Sequence, residues 1–453
     1  MSASIKRVAD STRSEISIKI SSFKANENAL KSFKEWMSQN NFNLSSKVYI
    51  GIEGSCAQYG AVATEDIMEG ECLFQIPRPC LLMPETSAIS EQLQTDIDSL
   101  NSSSGWVPLL LALMYEYNNP KSKWRPYLDL VPDFKELDLP MFWTEAERKL
   151  YLQGTGVIEA VNKDIDNISK EFNNIVLPYV KKHTDLFGDS CCNLDFYKQM
   201  VAFVMAYSFT EPPANEFDDS PPPMMVPMAD ILNHVAKNNA HLSFEKEALK
   251  MVATKPIKKG EEIYNTYGQI ANWQLMQMYG FAERYPNNDF DTVDIPNSVV
   301  LETARELSVN TEELLKDKTD FLIDMELMVK DGSFVVGLAG VLTEDEMYQT
   351  IRVLLMDEEE YTEHKQKDGW SDDEEEGEEE ESLDFGHMKK LPEKWKKFLI
   401  NCALKSQKLY SSKLDEEESQ LKQTSTMSSR QLYSLYLTHG HKQILQKIVE
   451  ACR

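Results

Sequence analysis

The chain is poor in cysteine, in unbroken apolar sequence and in positive charge, and each shortage removes a class of function. Seven cysteines occur in 453 residues, at positions 56, 72, 80, 191, 192, 402 and 452, and none forms a C-x-x-C pair. A disulfide framework packs more thiols into a shorter chain, and a structural zinc site needs closely spaced ligands, so neither disulfides nor a metal is expected. The longest apolar run, residues 107–114, is about half of what a bilayer span requires. The polar start MSASIKRVADSTRSE carries no apolar signal core. A soluble protein with reduced thiols fits these absences, with no membrane partner. With 47 basic against 74 acidic residues the formal net charge is −27. That charge repels a phosphate backbone and argues against direct nucleic-acid binding. It attracts basic partners such as lysine-bearing peptides, and it also serves plain solubility.

What is present suffices for two or three globular domains: 42% of residues are hydrophobic and 10% aromatic. Ala29, Leu30, Phe33, Trp36 and Met37 recur at helical spacing and predict an amphipathic helix ending near Asn40-Asn41. Strand-like runs follow at 48–52, 61–63 and 72–76, with Glu69-Gly70 as the turn before the last. Residues 105–207 read as helical, most clearly at 107–116, 145–152 and 196–207, and a loop rich in proline and acid spans 211–223. Strand-like sequence returns at 241–244, 249–253 and 262–264. Beyond about residue 296 the pattern is helical again, and Thr343 with Glu346 predicts a capping box ahead of Met347, Ile351, Leu354 and Leu355. The acidic block 372–381 reads as a solvated, self-repelling loop.

The expected fold is therefore α+β, a β-rich domain interrupted by a helical insertion and followed by an all-α C-terminal domain. The divisions fall at an N-terminal segment and helix (1–45), a first β-rich part (46–104), the insertion (105–215), a second β-rich part (216–295) and the helical domain (296–453).

Three pieces of the β-type sequence carry polar or small residues suited to a site. Ala57-Gln58-Tyr59-Gly60 is a small-residue loop that lets backbone approach a ligand. Asp230-Ile231-Leu232-Asn233-His234 offers donors and acceptors side by side. Lys259 to Gly268, read KGEEIYNTYG, is a turn, a strand and then Tyr267 beside a glycine. Singly these are a common turn, a satisfied buried histidine and a core aromatic.

In this order and spacing they resemble the motifs of SET domains: a G-x-G loop, an N-H pair ending an R-F/A-D-x-x-N-H segment, and a G-E-E-[LI]-x-x-x-Y closing strand. The run 272–281, with Trp124-Arg125-Pro126-Tyr127-Leu128 and Leu152-Gln153-Gly154-Thr155, is similar to the split-SET subgroup, and the resemblance extends over about residues 45–290. The C-terminal sequence His439 to Leu445 resembles the substrate-binding helices of Rubisco large-subunit methyltransferase. The resemblance implies a protein-lysine N-methyltransferase that uses S-adenosylmethionine. Within the family it points to an animal branch that monomethylates lysine on nuclear proteins, among them the RelA subunit of NF-kappa-B and a variant core histone. Nuclear localisation is expected, with the cytoplasm second. Carried over from the family, Tyr267 is the central catalytic residue. Ala57, Gln58, Tyr59, Tyr207, Asn233, His234 and Tyr279 contact the cofactor, while Trp106, Ser208 and Thr210 line the path of the substrate lysine. Two alternatives stay open: a split-SET enzyme for another nucleophile, such as actin histidine, and a non-catalytic binding module that keeps the fold.

Departures from the pattern are also visible. Gln58 stands where the first glycine of the loop usually is, and Val235 to Asn239 replace the cysteine and proline that often follow Asn-His. Gly154-Thr155-Gly156 begins like a dinucleotide loop, but Glu159 stands where a third glycine belongs and a helical stretch precedes it. No oligomeric state follows from the sequence. The acidic block cannot bury apolar surface, so deleting residues 372–381 is expected to leave turnover on a short peptide within about twofold. Steady-state kinetics on the deletion variant checks this, and a large loss of kcat would make the block part of the working domain.

Overall fold

The computed structural model describes residues 27–51, 59–130, 137–213, 215, 221–307, 311–366 and 382–453. Ala57, Gln58 and the acidic block 372–381 lie outside the described residues, as does the polar N-terminus.

The first helix, α1 (Glu27–Gln39), buries Ala29, Leu30, Phe33, Trp36 and Met37, the residues whose spacing predicted it. Phe33 is fully buried, which contributes about 1.5–3 kcal/mol. Its ring stacks on Trp36 at 5.7 Å and meets Tyr127 at 6.3 Å. Eleven strands follow in the described residues: β1 (Asn43–Leu44), β2 (Val48–Gly51), β3 (Gly60–Ala63), β4 (Cys72–Pro77), β5 (Ser208–Phe209), β6 (Met224–Met225), β7 (Ala240–Phe244), β8 (Ala248–Ala253), β9 (Glu262–Ile263), β10 (Thr292–Pro296) and β11 (Ser333–Gly337). They form a four-stranded sheet in the order β1-β4-β8-β7, a three-stranded sheet β2-β3-β9, and two antiparallel pairs, β5-β6 and β10-β11.

The pairing of β4 with β8, with Phe74 opposite Met251 and Ile76 opposite Leu249, closes across the whole insertion. Ala61 opposite Ile263 does the same for the second sheet. Strands distant in sequence are thus neighbours in space, as the split β-type pattern predicted. The insertion supplies α2 (Val107–Asn118), α3 (Glu145–Leu152), α4 (Val157–Glu171) and α5 (Leu194–Tyr207). Thr144 starts α3 with a reciprocal capping box, accepting the Glu147 N–H while Glu147 accepts its own. After the β-rich part come α6 (Asn272–Tyr279) and a helical C-terminal region that ends in α7 (Ser429–Ala451).

Two local expectations fail for tertiary reasons. The C-terminal region contains β11, which pairs along its length with β10. Thr343 does precede a helix, Glu344–Leu355, but caps nothing with its side chain. Its hydroxyl accepts the Val335 N–H at 3.0 Å instead. A backbone N–H in the middle of β11 that needs an acceptor outcompetes the local box.

A small core made of Trp143, Leu152, Val157 and Val161 from the insertion, Met276 and Ala282 from α6 and its following turn, and Leu437 of α7 seals three regions together. Arg430 of α7 reinforces the seam, pairing with Asp138 at 2.6 Å and Glu147 at 2.7 Å. Gly154 belongs to the same contact. Its φ is +83, and a Cβ there would lie 2.8 Å from the Leu409 carbonyl oxygen. Gly154 of the apparent dinucleotide loop is therefore a packing residue, and Gly156, where a Cβ would meet no neighbour, is the left-handed start of α4. Gly154→Ala is expected to cost at least about 2 kcal/mol, combining a left-handed alanine with a backbone clash. Chemical denaturation of the variant against the parent measures it, and an unchanged midpoint would refute the contact.

Candidate active site

The site is assembled where residues 232–236 run alongside residues 264–267. The Asn265 N–H donates to the Asn233 carbonyl at 2.9 Å, and the Val235 N–H donates to the Asn265 carbonyl at 3.4 Å, which sets His234 in a parallel bridge with Asn265. Asn239 completes the join. Its side chain accepts the Tyr264 N–H at 2.7 Å and donates to the Glu262 carbonyl at 2.9 Å. Asn239 was visible in the sequence only as part of a departure from the usual motif; its task is to satisfy backbone groups between the two segments.

Asn233 is buried, and its amide is spent inside the protein. It donates to the Tyr59 carbonyl at 3.1 Å and to Glu262 Oε1 at 2.6 Å. This ties the end of the 57–60 loop to the N-H segment and explains why a glutamate precedes the strand isoleucine. His234 Nδ1 accepts the backbone N–H of Tyr267 at 2.9 Å. A neutral imidazole that accepts at Nδ1 carries its proton on Nε2, and Nε2 lies 3.4 Å from Glu283 Oε1 without a hydrogen bond to it. Among the described residues no hydrogen bond reaches the backbone N–H or carbonyl of His234. A buried residue with such groups to offer suits a polar ligand, and this donor set fits S-adenosylmethionine.

Tyr267 stands at the centre. Its hydroxyl donates to the Leu232 carbonyl at 3.1 Å. Its ring stacks on Tyr279 at 4.6 Å and meets His234 at 5.1 Å and Phe281 at 6.4 Å. Four rings thus form one wall. Phe281 was not singled out in the sequence, although it closes the same run that placed Tyr279. Burial raises the Tyr279 phenol to about 12, so it stays neutral at physiological pH.

A second set of residues lies along the insertion. Tyr207 is the last residue of α5, and its ring packs on Phe203 at 5.2 Å. Burial, with the Asp230 carboxyl nearby, raises its phenol to about 12. Ser208 follows in β5, opposite Met225. Thr210 is exposed just beyond, and Trp106 is the half-buried residue that starts α2. No hydrogen bond or ring contact among the described residues joins Trp106, Ser208 or Thr210 to Tyr267. Of the expected site residues, then, Tyr59, Asn233, His234, Tyr267 and Tyr279 form one connected cluster. No hydrogen bond or ring contact among the described residues joins Tyr207, which lies near Asp230, to it.

Asp230 lies buried just before the Asn233-His234 pair. Tyr127 donates to its Oδ2 at 2.5 Å, and its Oδ1 is buried with no partner among the described residues. It follows Met228, a fully buried non-glycine residue held at φ +83, a conformation that costs roughly 1–3 kcal/mol and persists only where surrounding structure enforces it.

Residues 58–268 match the family model described as SET domain, and residues 309–445 match Rubisco LSMT substrate-binding. Over 429 residues the chain is 45% identical to N-lysine methyltransferase SETD6 of Rattus norvegicus, covering 93% of this chain and 90% of that protein. It is 43% identical to the Xenopus laevis protein of the same name over 429 residues, covering 92% and 94%. With the Homo sapiens SETD6 the identity is 45% over 412 residues, covering 89% and 86%. Among solved structures, Rubisco LSMT bound to AdoMet and the SET domain of LSMT bound to lysine and AdoHcy each align with a TM-score of 0.65 at 19% identity. Each covers 94% of this chain and 91% of its own, a likeness of fold.

Burial pushes the Asp230 carboxyl from 3.8 up to about 7, with the Tyr127 hydroxyl opposing. The folded state thus holds this proton more tightly than the unfolded chain. The stability it contributes is complete below about pH 3.8 and is lost as pH rises through about 7. Asp230→Asn cannot ionise and should lack this decline, leaving the decline that Asp291, likewise pushed up to about 7 by burial, contributes on its own. Urea midpoints of both proteins across pH 5 to 8 check this; parallel curves would show that Asp230 is not linked to folding.

Proposed function

Since this chain belongs to the SETD6 family of SET-domain N-lysine methyltransferases, we propose that the cluster around Tyr267 is its methyl-transfer site, with S-adenosylmethionine as donor. The observation that carries this assignment is the orientation of the Tyr267 hydroxyl. Its hydrogen is directed at the Leu232 carbonyl, so what the oxygen offers a ligand is its lone pairs. An oxygen presented this way is suited to a positive centre and poorly suited to an anion. S-adenosylmethionine supplies an electrophilic methyl group on a sulfonium, which a neutral lysine amine can displace.

The protein has two tasks in that displacement. One is to hold the reacting atoms in line. The other is to receive the lysine as a neutral amine, which at pH 7.5 costs about 4 kcal/mol from a reference pKa of about 10.4. A wall built from Tyr267, Tyr279, Phe281 and His234 is apolar enough to disfavour an ammonium. Tyr267 then acts through its dipole and orientation, and no general base is needed. We assign the backbone of Asn233 and His234, the 57–59 loop with Ala57, Gln58 and Tyr59, and the rings of Tyr207 and Tyr279 to the cofactor. Trp106, Ser208 and Thr210 are assigned to the lysine path. Crowding by the rings favours monomethylation. The family resemblance supports nuclear substrates such as RelA or a variant core histone, and the net charge of −27 suits a basic segment around the target.

Incubating a nuclear extract with the protein and isotopically labelled S-adenosylmethionine, followed by mass spectrometry, should find label on lysine. Label on histidine alone would overturn the nucleophile. Tyr267→Phe keeps the ring and deletes the dipole, and should cost a hundred- to thousandfold in kcat, about 2.7–4 kcal/mol. Its Kd for S-adenosylmethionine and its Tm should stay near the parent values. Near-normal turnover in the folded variant would remove Tyr267 from the mechanism.

A further inference from the structure

Glu283 has no part in the assignment above, yet it is the carboxylate nearest the catalytic tyrosine's support. Its side chain is 13% exposed and that of His234 is 1% exposed. Glu283 Oε1 accepts the Ala236 N–H at 2.8 Å and sits 3.4 Å from His234 Nε2. On the other side of the same ring, Nδ1 accepts the Tyr267 N–H. The backbone of Glu283 is held from both ends by Asn272, whose Oδ1 accepts the Glu283 N–H at 2.9 Å and whose amide donates to the Glu283 carbonyl at 3.0 Å. Asn272 is itself fully buried and anchored on Asp291, to which its backbone N–H donates at 3.0 Å and its amide at 2.8 Å.

We propose that Glu283 is a positioning residue for methyl transfer, acting through the tautomer of His234 on the backbone and hydroxyl of Tyr267. This rests on the reading of Tyr267 given above. An imidazole can accept from Tyr267 only while Nδ1 is bare, so its single proton must reside on Nε2. A carboxylate charge 3.4 Å from Nε2, though not hydrogen-bonded to it, favours that arrangement electrostatically. Were the proton on Nδ1, two N–H groups would point at each other. The 265–268 segment would move, and the Tyr267 hydroxyl would leave the Leu232 carbonyl.

Fastening the 235–236 turn alone needs only an acceptor for the Ala236 N–H, which an amide would supply. A largely buried carboxylate is costly there, and Asp291 is near enough for the Glu283 charge to raise its carboxyl further. Its position against a ring nitrogen is what the extra cost secures.

The test compares the full-length parent with Glu283→Ala and Glu283→Gln. The alanine variant should lose about 10- to 100-fold in kcat, the usual scale for losing the partner of a functional histidine. The peptide KM and the Kd for S-adenosylmethionine should move by less than about threefold. Glutamine keeps an acceptor for the Ala236 N–H but removes the charge beside Nε2, and should lose kcat on the same scale as alanine. Nitrogen-15 NMR of the His234 ring reads the tautomer without turnover: bare Nδ1 in the parent, and mixed forms in Glu283→Gln and Glu283→Ala. An unchanged kcat in Glu283→Ala, or a lowered kcat with an unchanged ring spectrum, overturns the proposal. So does a parent spectrum with the proton on Nδ1, which decides the matter even if the alanine variant does not fold. A parent enzyme that methylates no lysine would defeat the functional reading instead, leaving the ring spectrum to report on Glu283.

Discussion

The structure depends on one short crossing, the hydrogen bonds that Asn265 makes to Asn233 and Val235. Two backbone segments separated by about thirty residues run side by side there. His234 and Tyr267 hang from them, and Tyr279 and Phe281 pack on Tyr267 from α6 and the turn after it. Buried backbone polar groups must be paired, and at this crossing the ladder is too short to pair them all. Asparagine side chains fill the deficit. Asn239 satisfies Tyr264 and Glu262, Asn233 satisfies Tyr59, and Asn272 satisfies Glu283. Each uses both the donor and the acceptor of its amide or both amide hydrogens, which an isosteric aspartate or leucine cannot do.

The chemistry at the cluster follows from the same economy. Because backbone and amide groups settle one another's hydrogen bonds, the inward faces are left to rings. Tyr267 spends its proton on Leu232, Tyr279 is kept neutral by burial, and His234 is clamped between a backbone amide and a carboxylate. No formal positive charge stands among these contacts, which suits a site that must admit a cationic donor and a neutral amine. Under the proposed function, the net negative charge of the chain and the aromatic cluster would serve different stages, attraction of a basic segment and removal of its charge.

Local signals in the sequence carried the helices and the tyrosine, and long-range contacts carried the rest. The period of Ala29, Leu30, Phe33, Trp36 and Met37 is a property of thirteen consecutive residues and transfers directly to the buried face of α1. The strand, turn and tyrosine at 259–268 are equally local, and family resemblance supplied their role. Thr343 was misread because its hydroxyl serves a strand eight residues earlier, Val335, and β11 was overlooked because its partner lies some forty residues away. Glu283, Asn272 and Asp291 were silent for a related reason. A lone acid or amide, in a loop or at the start of a helix as Asn272 is, has no period, and only the fold reveals that the three meet.

Two glycines bear on how this protein relates to its neighbours in design space. At position 154 a side chain would strike the Leu409 carbonyl, and at position 440, inside α7, it would come within 2.9 Å of Asp291 Oδ2. Both are points where the C-terminal region and the remainder of the chain touch with nothing to spare. The helical region is therefore no interchangeable cartridge. A chimera that takes it from a relative inherits a mating surface whose tolerance is set by hydrogen atoms at 154 and 440. Transplanting substrate preference between such enzymes will succeed only for grafts that carry both sides of those two contacts together.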